Sequence, residues 1–194
     1  TVEELLDVPV DYYVRMNFNA FIDVVDSLDG IEVDVPYEMY EIDSHDKKNA
    51  IHLEEGLQTV DGEEALAFAR TRKKDSDIQR GERQQEVLKA IIAKATSAGS
   101  LTKYTDVMEA VGDNMTTNLK FSQMRGFIKY VTTDKGINLE TIKLEGQDST
   151  IGGTYYYQLN ETSLANTKLL LQSHLNLGPA EGNQTEAVQS QIQE

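Results

Sequence analysis

The sequence has 194 residues, a formal net charge of −15 and no cysteine, with 39% hydrophobic and 26% charged residues. This composition is typical of a globular chain with one sizeable core or two small ones, and it excludes disulfides and thiolate metal sites. The negative charge argues against general binding of nucleic acid or anionic membrane surfaces, because the long-range field repels polyanions. The sequence has no apolar run of about 18 residues, the length that a membrane-spanning helix requires.

The first part of the chain predicts strands and helices joined by short links. Residues 1–9 are typical of the last turns of a helix that stops before a proline. DYYVRMNF, residues 11–18, places successive side chains on opposite faces and indicates a strand. We expect Asn19 to cap a helix at residues 20–28, and IEVDVP after it to form a second strand with its isoleucine and valines inward. Strand, helix and strand in this order are typical of a βαβ unit.

The rest of the chain predicts mainly helices. Residues 37–56 are polar and indicate a long surface loop or an irregular hairpin. Asp61 with Glu64 three residues later is a capping-box pattern that starts a helix in GEEALAFAR. We expect a long helix ending near residue 98, a strand at 139–146 and further helices at 103–112, 122–132 and 161–175. The fold class is therefore α/β, with a mixed sheet covered by helices on both faces, an α/β/α sandwich. The expected domain spans residues 1–177, and residues 178–194 form a disordered tail.

Positive charge is concentrated in FARTRKKDSDIQRGERQQ, residues 68–85. Four of the six arginines lie in this stretch, where six positive charges stand against three negative ones. The remainder of this acidic chain therefore carries an even larger excess of negative charge. A local excess of arginine in such a chain indicates either a structural ion-pair network or a site for an anionic ligand.

The helix that carries the second half of this stretch has polar residues on its expected core side. Its apolar face includes Val87 and Leu88, and that face projects back through Gln84, Arg80 and Asp77. A buried arginine is costly unless it is paired or hydrogen-bonded. Two interpretations stay open. An Asp77–Arg80 ion pair closes the end of the core, or the helix N-terminus forms a pocket where its dipole and N–H groups help to bind an anion.

Arg70 and Arg72 favour the anion-binding interpretation. They alternate in an expected extended link, so their side chains point the same way, and a link that folds back brings them to Arg80. Converging guanidiniums repel one another and require a multivalent anion, and their forked donors suit phosphate or pyrophosphate. Arg15 on the first strand is a further candidate, with a surface position as its alternative. We expect Arg83 to face away from the Asp77–Arg80–Gln84 stripe, at a rim or on the surface.

Other polar residues of the region are expected at the surface. Lys73 and Lys74 are interpreted as solvated side chains. Asp43, His45 and Asp46 lie close together, but they occupy a polar loop with no further ligand nearby. We therefore assign no metal ligand in this chain.

Three segments resemble the extracellular domain of the LytR-CpsA-Psr (LCP) family. They are DYYVRMNFNAFIDVVDSLDGIEVDVP, LEEGLQTVDGEEALAFARTR and DIQRGERQQEVLKAI. The most specific part is an R-x-R…D-x-x-R-x-x-x-Q arrangement formed by Arg70, Arg72, Asp77, Arg80 and Gln84. The resemblance is specific over residues 1–95 and continues more weakly to about residue 177.

The resemblance implies an enzyme of cell-wall biogenesis, a phosphotransferase or ligase. Such proteins move teichoic acid or capsular polysaccharide from a polyprenyl-pyrophosphate carrier to peptidoglycan. The implied location is the extracellular face of the cell membrane of Gram-positive bacteria, with a membrane anchor N-terminal to this chain and no nucleic-acid partner. Carried over, the catalytic residues are Arg70, Arg72, Asp77 and Arg80, and the substrate-binding residues are Arg15, Gln84 and Arg83.

The resemblance also implies that part of the family's domain lies outside this chain. The preceding strands of that domain contribute a further arginine and the acidic residues that hold Mg²⁺, so the Mg²⁺ ligands are expected outside this sequence and the isolated chain is expected to be incomplete as an enzyme. Two alternatives stay open: a non-catalytic envelope module that binds anionic polymer, and a transcriptional attenuator of cell-wall genes. The charge of −15 and the lack of a basic helix face argue against the second.

Overall fold

The computed structural model of the protein describes residues 1–73, 77–96, 114–120, 122–124, 126 and 139–178. The chain divides into a central unit, Tyr12–Leu139, and a terminal unit made of Thr1–Asp11 and Glu140–Glu194. In chain order the elements are α1 (Val2–Leu6), β1 (Val14–Met16), α2 (Phe18–Ser27), β2 (Ile31–Val35), β3 (Met39–Glu41), β4 (Ile51–Leu53), β5 (Gly56–Val60), α3 (Gly62–Arg70), α4 (Asp77–Thr96), β6 (Met115–Thr117), β7 (Gly146–Ile151), β8 (Thr154–Leu159) and α5 (Glu161–His174). None of the helices in these ranges combines the length and the apolar character needed to cross a bilayer.

Helices and strands are interspersed along the chain, which confirms the prediction of an α/β fold. The described strands pair as antiparallel ribbons: β1 with β6, β2 with β5, β3 with β4, and β7 with β8. Within that part of the structure, β1 and β2 pair with other strands and not with each other, so the expected βαβ unit is not seen there. The β3–β4 hairpin is inserted between the two strands of the β2–β5 ribbon.

The core of the central unit collects side chains from β2–β5 and from α2–α4. The inward residues of β2 are Ile31, Val33 and Val35, each at most 1% exposed, which confirms the predicted alternation. Phe68 of α3 is the largest of the fully buried side chains. Burying a side chain of this kind contributes about 1.5–3 kcal/mol to stability. Phe68 is only two residues before Arg70, so the core extends to the point where the basic stretch begins.

Side-chain caps mark where α2 and α3 begin. The capping box predicted at Asp61 is confirmed, since its side chain accepts from the backbone of Glu64 and the Glu64 side chain accepts in return. The prediction of Asn19 as a helix cap is wrong by two residues. Asn17 caps α2 by accepting from the Ala20 N–H at 2.9 Å, because an N-cap must precede the helix by one residue.

Close packing of α3 on α2 requires a glycine at the start of α3. A Cβ atom at Gly62 would lie 2.5 Å from the carbonyl oxygen of Ile22. The Gly62 N–H also donates to Asp26 Oδ1 at 2.7 Å. The two helices are therefore locked together by a backbone approach that a larger residue would prevent.

The polar segment 37–56 forms an irregular hairpin, one of its two predicted forms, through β3 and β4. The strand β5 that follows it was not predicted. The strand predicted at residues 139–146 is wrong, because the ladder begins at Gly146, where β7 pairs with β8. The long helix expected after the basic stretch is confirmed as α4. The helix expected at 103–112, most of that at 122–132, and residues 179–194 lie outside the described residues.

In the terminal unit, α1 packs against α5 and the β7–β8 hairpin precedes α5. Asn160 caps α5 by accepting from the Ser163 N–H at 2.9 Å, which confirms the helix predicted at 161–175. The Gln172 side chain donates to the carbonyl oxygen of Asp7 at 3.0 Å, just past the end of α1. This bond joins the two chain segments that form the terminal unit.

Candidate functional site

The C-terminal end of α3 opens into a pocket that contains two of the predicted arginines. Arg70 is the last residue of α3, and the chain leaves the helix in an extended conformation at Thr71. A cavity of about 150 Å³ is lined by Glu41, Ile42, Ala67, Arg70, Thr71 and Arg72. The structure thus brings Arg70 and Arg72 to one pocket, as their alternation predicted.

An aromatic ring supports Arg70. The guanidinium carbon of Arg70 lies 4.4 Å from the centre of the Phe18 ring, a cation–π distance. Phe18 begins α2 directly after β1, and Arg15 lies on β1, exposed and opposite Thr116. The β1–α2 junction therefore approaches the arginine pocket at Phe18, while Arg15 remains a candidate on the neighbouring strand.

Arg83 is buried beside α3, so the prediction that it faces away at a rim or on the surface is wrong. It is 4% exposed. Its Nε donates to the carbonyl oxygen of Phe68 at 3.0 Å, and its Nη2 donates to that of Thr71 at 2.6 Å. The last carbonyls of a helix have no partner within the helix and carry partial negative charge. A forked cation satisfies two of them at once, which outweighs the usual cost of burying arginine.

The buried face of α4 is rotated from the projection made on Leu88. Leu88 is 59% exposed, whereas Arg83 and Val87 are buried. Gln84 is exposed instead of facing inward, and its Nε2 donates to the carbonyl oxygen of Ala69 at 3.3 Å. The predicted inner face of α4 was misplaced because the prediction assumed that only apolar residues lie on that face. Arg83 lies there instead.

Arg80 lies one turn before Arg83 on the same helix. Its side chain is partly buried, and its Nη1 atom is enclosed by protein. The predicted Asp77–Arg80 ion pair involves the Asp77 side chain, which lies outside the described part of the structure, as do residues 74–76. The roles of Arg80 and Asp77 remain predictions.

A buried carboxylate, Glu41, bonds to the chain segment that lines the pocket after α3. Glu41 of β3 is 7% exposed and accepts a hydrogen bond from Thr71 Oγ1 at 2.5 Å. Its other oxygen lies 3.2 Å from Lys73 Nζ, and Lys73 also donates to the carbonyl oxygen of Tyr40. Lys73 is exposed, as expected, and it is also paired with Glu41. Sequence reasoning missed Glu41, although its alternation with Met39 on a short strand places it on the buried face.

The described residues do not provide a Mg²⁺ site. They contain no group of three or more histidine, aspartate or glutamate side chains arranged to hold a metal ion. Asp43 Oδ1 accepts from the backbone N–H groups of His45 and Lys47, both at 2.9 Å. The Lys47 hydrogen bond, more than that of His45, holds the pKa of the Asp43 carboxyl below its usual range. Asp43 therefore stabilises its own loop, and no chemical step is assigned to a metal here.

The arrangement suits a phosphate-type anion. Arg70 and Arg72 present forked donors at the pocket, and Lys73 adds positive charge beside them. Glu41 is the carboxylate of the pocket, and it is already bonded to Thr71 and Lys73. The pocket thus offers a net positive surface on a protein that is negative overall, which favours an anion with several oxygen atoms.

Comparison with known proteins gives a consistent match. The model of the LytR_cpsA_psr family matches residues 1–173. A protein of Bacillus subtilis (strain 168), the polyisoprenyl-teichoic acid–peptidoglycan teichoic acid transferase TagT, is 44% identical over 178 residues, which cover 91% of this chain and 55% of that protein. The chain spans about half the length of such curated relatives.

Solved structures agree with this match. B. subtilis TagV has a TM-score of 0.79 at 33% identity, over 92% of this chain and 69% of that chain. The LytR-CPS2A-psr family protein YwtF (TagT) with bound octaprenyl pyrophosphate lipid has a TM-score of 0.70 at 39% identity, over 91% of this chain and 64% of that chain. These likenesses confirm the mixed α/β fold.

Proposed function

The chain belongs to the LytR-CpsA-Psr family, and from this membership we propose that the protein transfers a cell-wall glycopolymer from a polyprenyl-pyrophosphate carrier to peptidoglycan. The observation that carries the proposal is the pocket at the end of α3, which Arg70 and Arg72 both line. A pyrophosphate is the multivalent anion that paired guanidiniums favour. A relative with 39% identity has been solved with octaprenyl pyrophosphate lipid, which supports this class of ligand.

The proposed reaction is a phosphoryl transfer. A hydroxyl oxygen of the acceptor forms a bond to the phosphorus that carries the glycopolymer. The bond from that phosphorus to the bridging oxygen breaks, polyprenyl phosphate leaves with the electron pair, and the hydroxyl proton passes to solvent. Arg70 and Arg72 would neutralise charge that develops on the departing phosphate, the main way in which proteins accelerate such transfers.

Each of the other predicted site residues is proposed to have its own role. Arg80 is proposed to bind the pyrophosphate with Arg70 and Arg72, and Asp77 to orient an arginine. Gln84 is proposed to donate to a phosphate oxygen, and Arg15 to extend the site. Arg83 is proposed to position the end of α3 and not to contact substrate, because its donors are bonded to backbone carbonyls. Mg²⁺ would add positive charge at the phosphates, and its ligands are proposed to lie outside this chain.

The finer features of the proposal follow from the family. The glycopolymer is teichoic acid or capsular polysaccharide, and the acceptor is peptidoglycan. The proposed location is the extracellular face of the membrane of a Gram-positive bacterium, with an anchor N-terminal to this chain. The proposed domain spans residues 1–177. The relative TagT is named for transfer of teichoic acid to peptidoglycan, which supports teichoic acid as the polymer.

The proposal is tested by replacing both pocket arginines with alanine, Arg70→Ala with Arg72→Ala, and measuring octaprenyl pyrophosphate binding. Hydrogen bonds to charged groups contribute about 1.5–3 kcal/mol each, so we expect binding to weaken by about a hundredfold or more. Lys89→Ala is the matched control, because it removes one positive charge from the exposed side of α4. Unchanged binding in the double variant would refute the proposal. Polymer transfer by the full-length protein then separates an enzyme from a binding module.

A further inference from the structure

A second pocket adjoins the arginine pocket. It has a volume of about 400 Å³, and the residues relevant here are Tyr37, Glu38, Tyr40, Glu41, Asn49 and Lys73. Glu41 lines both pockets. A ligand in the second pocket would therefore lie beside an anion held by Arg70 and Arg72. Nothing in the proposed role of the arginines accounts for this second pocket.

A fixed aromatic surface stands in the second pocket. Tyr40 lies opposite His52 in the β3–β4 hairpin, and the two rings stack with centres 4.3 Å apart and planes at 8°. Glu38 Oε1 accepts from the Tyr40 hydroxyl at 3.0 Å and lies 3.0 Å from His52 Nε2. Tyr40 nevertheless remains 48% exposed. The ring is thus oriented before any ligand arrives, so little conformational entropy is lost on binding.

The polar groups around this ring include both acceptors and donors. Glu38 offers carboxylate oxygens, Asn49 an amide with both functions, and Lys73 an ammonium group. The hydrogen bond to Glu38 raises the pKa of the Tyr40 hydroxyl above its usual value. An aromatic wall with a few convergent polar groups is the usual composition of a small-ligand site.

We propose that this pocket binds a neutral pyranose sugar of the acceptor glycan strand. A pyranose ring has an apolar C–H face that stacks on an aromatic ring, and hydroxyl groups at its edge that both donate and accept. Glu38 disfavours the polyanionic donor polymer, because like charges repel. A sugar here would lie next to the neighbouring pocket, with which it would share Glu41. This inference rests on the proposed function, and it assigns the acceptor side of the same reaction.

The first test measures binding of chitotetraose, a neutral β-1,4-linked N-acetylglucosamine tetrasaccharide, by the full-length protein. Stacking and the associated apolar contact contribute about 1.4 kcal/mol, so Tyr40→Ala should weaken binding about tenfold, while Tyr40→Phe should retain most of it. Tyr156→Ala is the matched control, since Tyr156 is 50% exposed on β8. Asn49→Gly is a second variant that the backbone tolerates, because Asn49 has a φ of 52°.

The second test separates the two possible sources of the sugar. In a transfer assay with the full-length protein, Tyr40→Ala and Asn49→Gly should raise the KM for the glycan acceptor and leave octaprenyl pyrophosphate binding unchanged. An increase in the KM for the lipid-linked donor alone would overturn the inference, because the pocket would then hold donor sugar. Absence of tetrasaccharide binding by the wild-type protein, or an equal loss in Tyr156→Ala, would also overturn it.

The proposed function can survive a failure of this inference. If the sugar-pocket variants have no effect while the Arg70 and Arg72 substitutions abolish octaprenyl pyrophosphate binding, the transferase proposal stands and the acceptor pocket is rejected. If the arginine substitutions also have no effect, both are rejected.

Discussion

Two regions of the basic stretch use arginine in opposite ways. At the end of α3, Arg70 and Arg72 line an open pocket. In the first half of α4, Arg83 is 4% exposed and donates to the carbonyl oxygens of Phe68 and Thr71. By our proposal, the arginines of the first region bind ligand, whereas the arginine of the second region satisfies backbone acceptors.

The difference shows how positive charge can be concentrated on an acidic protein. Arg83 neutralises the negative end of α3 and holds the chain where Arg70 and Arg72 leave the helix. Glu41 supports the same segment from β3 through Thr71 and Lys73. Arg70 and Arg72 can thus be held at one pocket, because a buried cation and a buried carboxylate fix the backbone at Thr71 between them.

The largest effect that would test this comparison is on stability, through Arg83→Met. Methionine retains most of the apolar contact with Phe68 but leaves two buried carbonyl oxygens without their donors. Each unsatisfied buried group costs about 1–3 kcal/mol, so we expect the free energy of unfolding to fall by about 2–4 kcal/mol. Denaturant unfolding measures this change. Lys89→Ala, on the exposed side of the same helix, should change it by less than about 0.5 kcal/mol.

Ligand binding by the same variant decides whether Arg83 holds the end of α3 or binds the ligand itself. At a temperature where Arg83→Met remains folded, octaprenyl pyrophosphate binding should weaken by much less than the roughly hundredfold expected when Arg70 and Arg72 are both removed, because Arg83 holds the backbone beside them and does not contact the ligand. Lost binding with unchanged stability would contradict the comparison and restore the ligand-binding role that the family resemblance implied for Arg83.

A smaller effect is expected from Glu41→Ala. This substitution leaves the Thr71 hydroxyl without its acceptor and removes the partner of Lys73. The buried Thr71 bond accounts for most of the expected loss, about 1–2 kcal/mol, because the Lys73 ion pair is half-exposed and screened. Denaturant unfolding should show this loss together with weaker octaprenyl pyrophosphate binding. Glu41→Gln, which retains an acceptor for Thr71, should recover most of both; equal losses in the two variants would count against this reading of Glu41.

Local sequence signals predicted the well-packed elements of this fold. β2 alternates strictly between buried and exposed residues, and the capping box at Asp61 involves residues only three positions apart. β1 lies within the strand predicted at residues 11–18 but is shorter, and β7 was not predicted. All three residues of β1 are exposed, so its alternation does not mark a buried face, and β7 has few apolar residues to indicate a strand. Its position depends on pairing with β8, which periodicity does not reveal.

The candidate site was predictable where residue type alone indicated chemistry. Arg70 and Arg72 were identified because two arginines at alternate positions are unusual in an acidic chain. Arg83 was misplaced because helix projection favours apolar residues inward, and it cannot anticipate that the end of another helix supplies acceptors. Glu41 and Thr71 were missed for a similar reason, since their partnership joins positions 30 residues apart.

The smallest effect is expected at Asp43, which extends the comparison from arginines to carboxylates. Asp43 lies in the β3–β4 loop and accepts from the backbone N–H groups of His45 and Lys47. Its folded pKa is lowered, chiefly by the Lys47 bond, so its stabilisation of the loop is fully present above the unfolded value of about 3.9 and is lost as the pH falls through the lower folded value. NMR titration should show the Lys47 amide signal shifting below about pH 4 as Asp43 is protonated. Asp43→Asn should abolish that titration and leave octaprenyl pyrophosphate binding unchanged, because this carboxylate, unlike Glu41, is bonded only within its own loop. A loss of binding in Asp43→Asn would show that the loop contributes to the site. Asp43 and Glu41 would then both affect ligand binding.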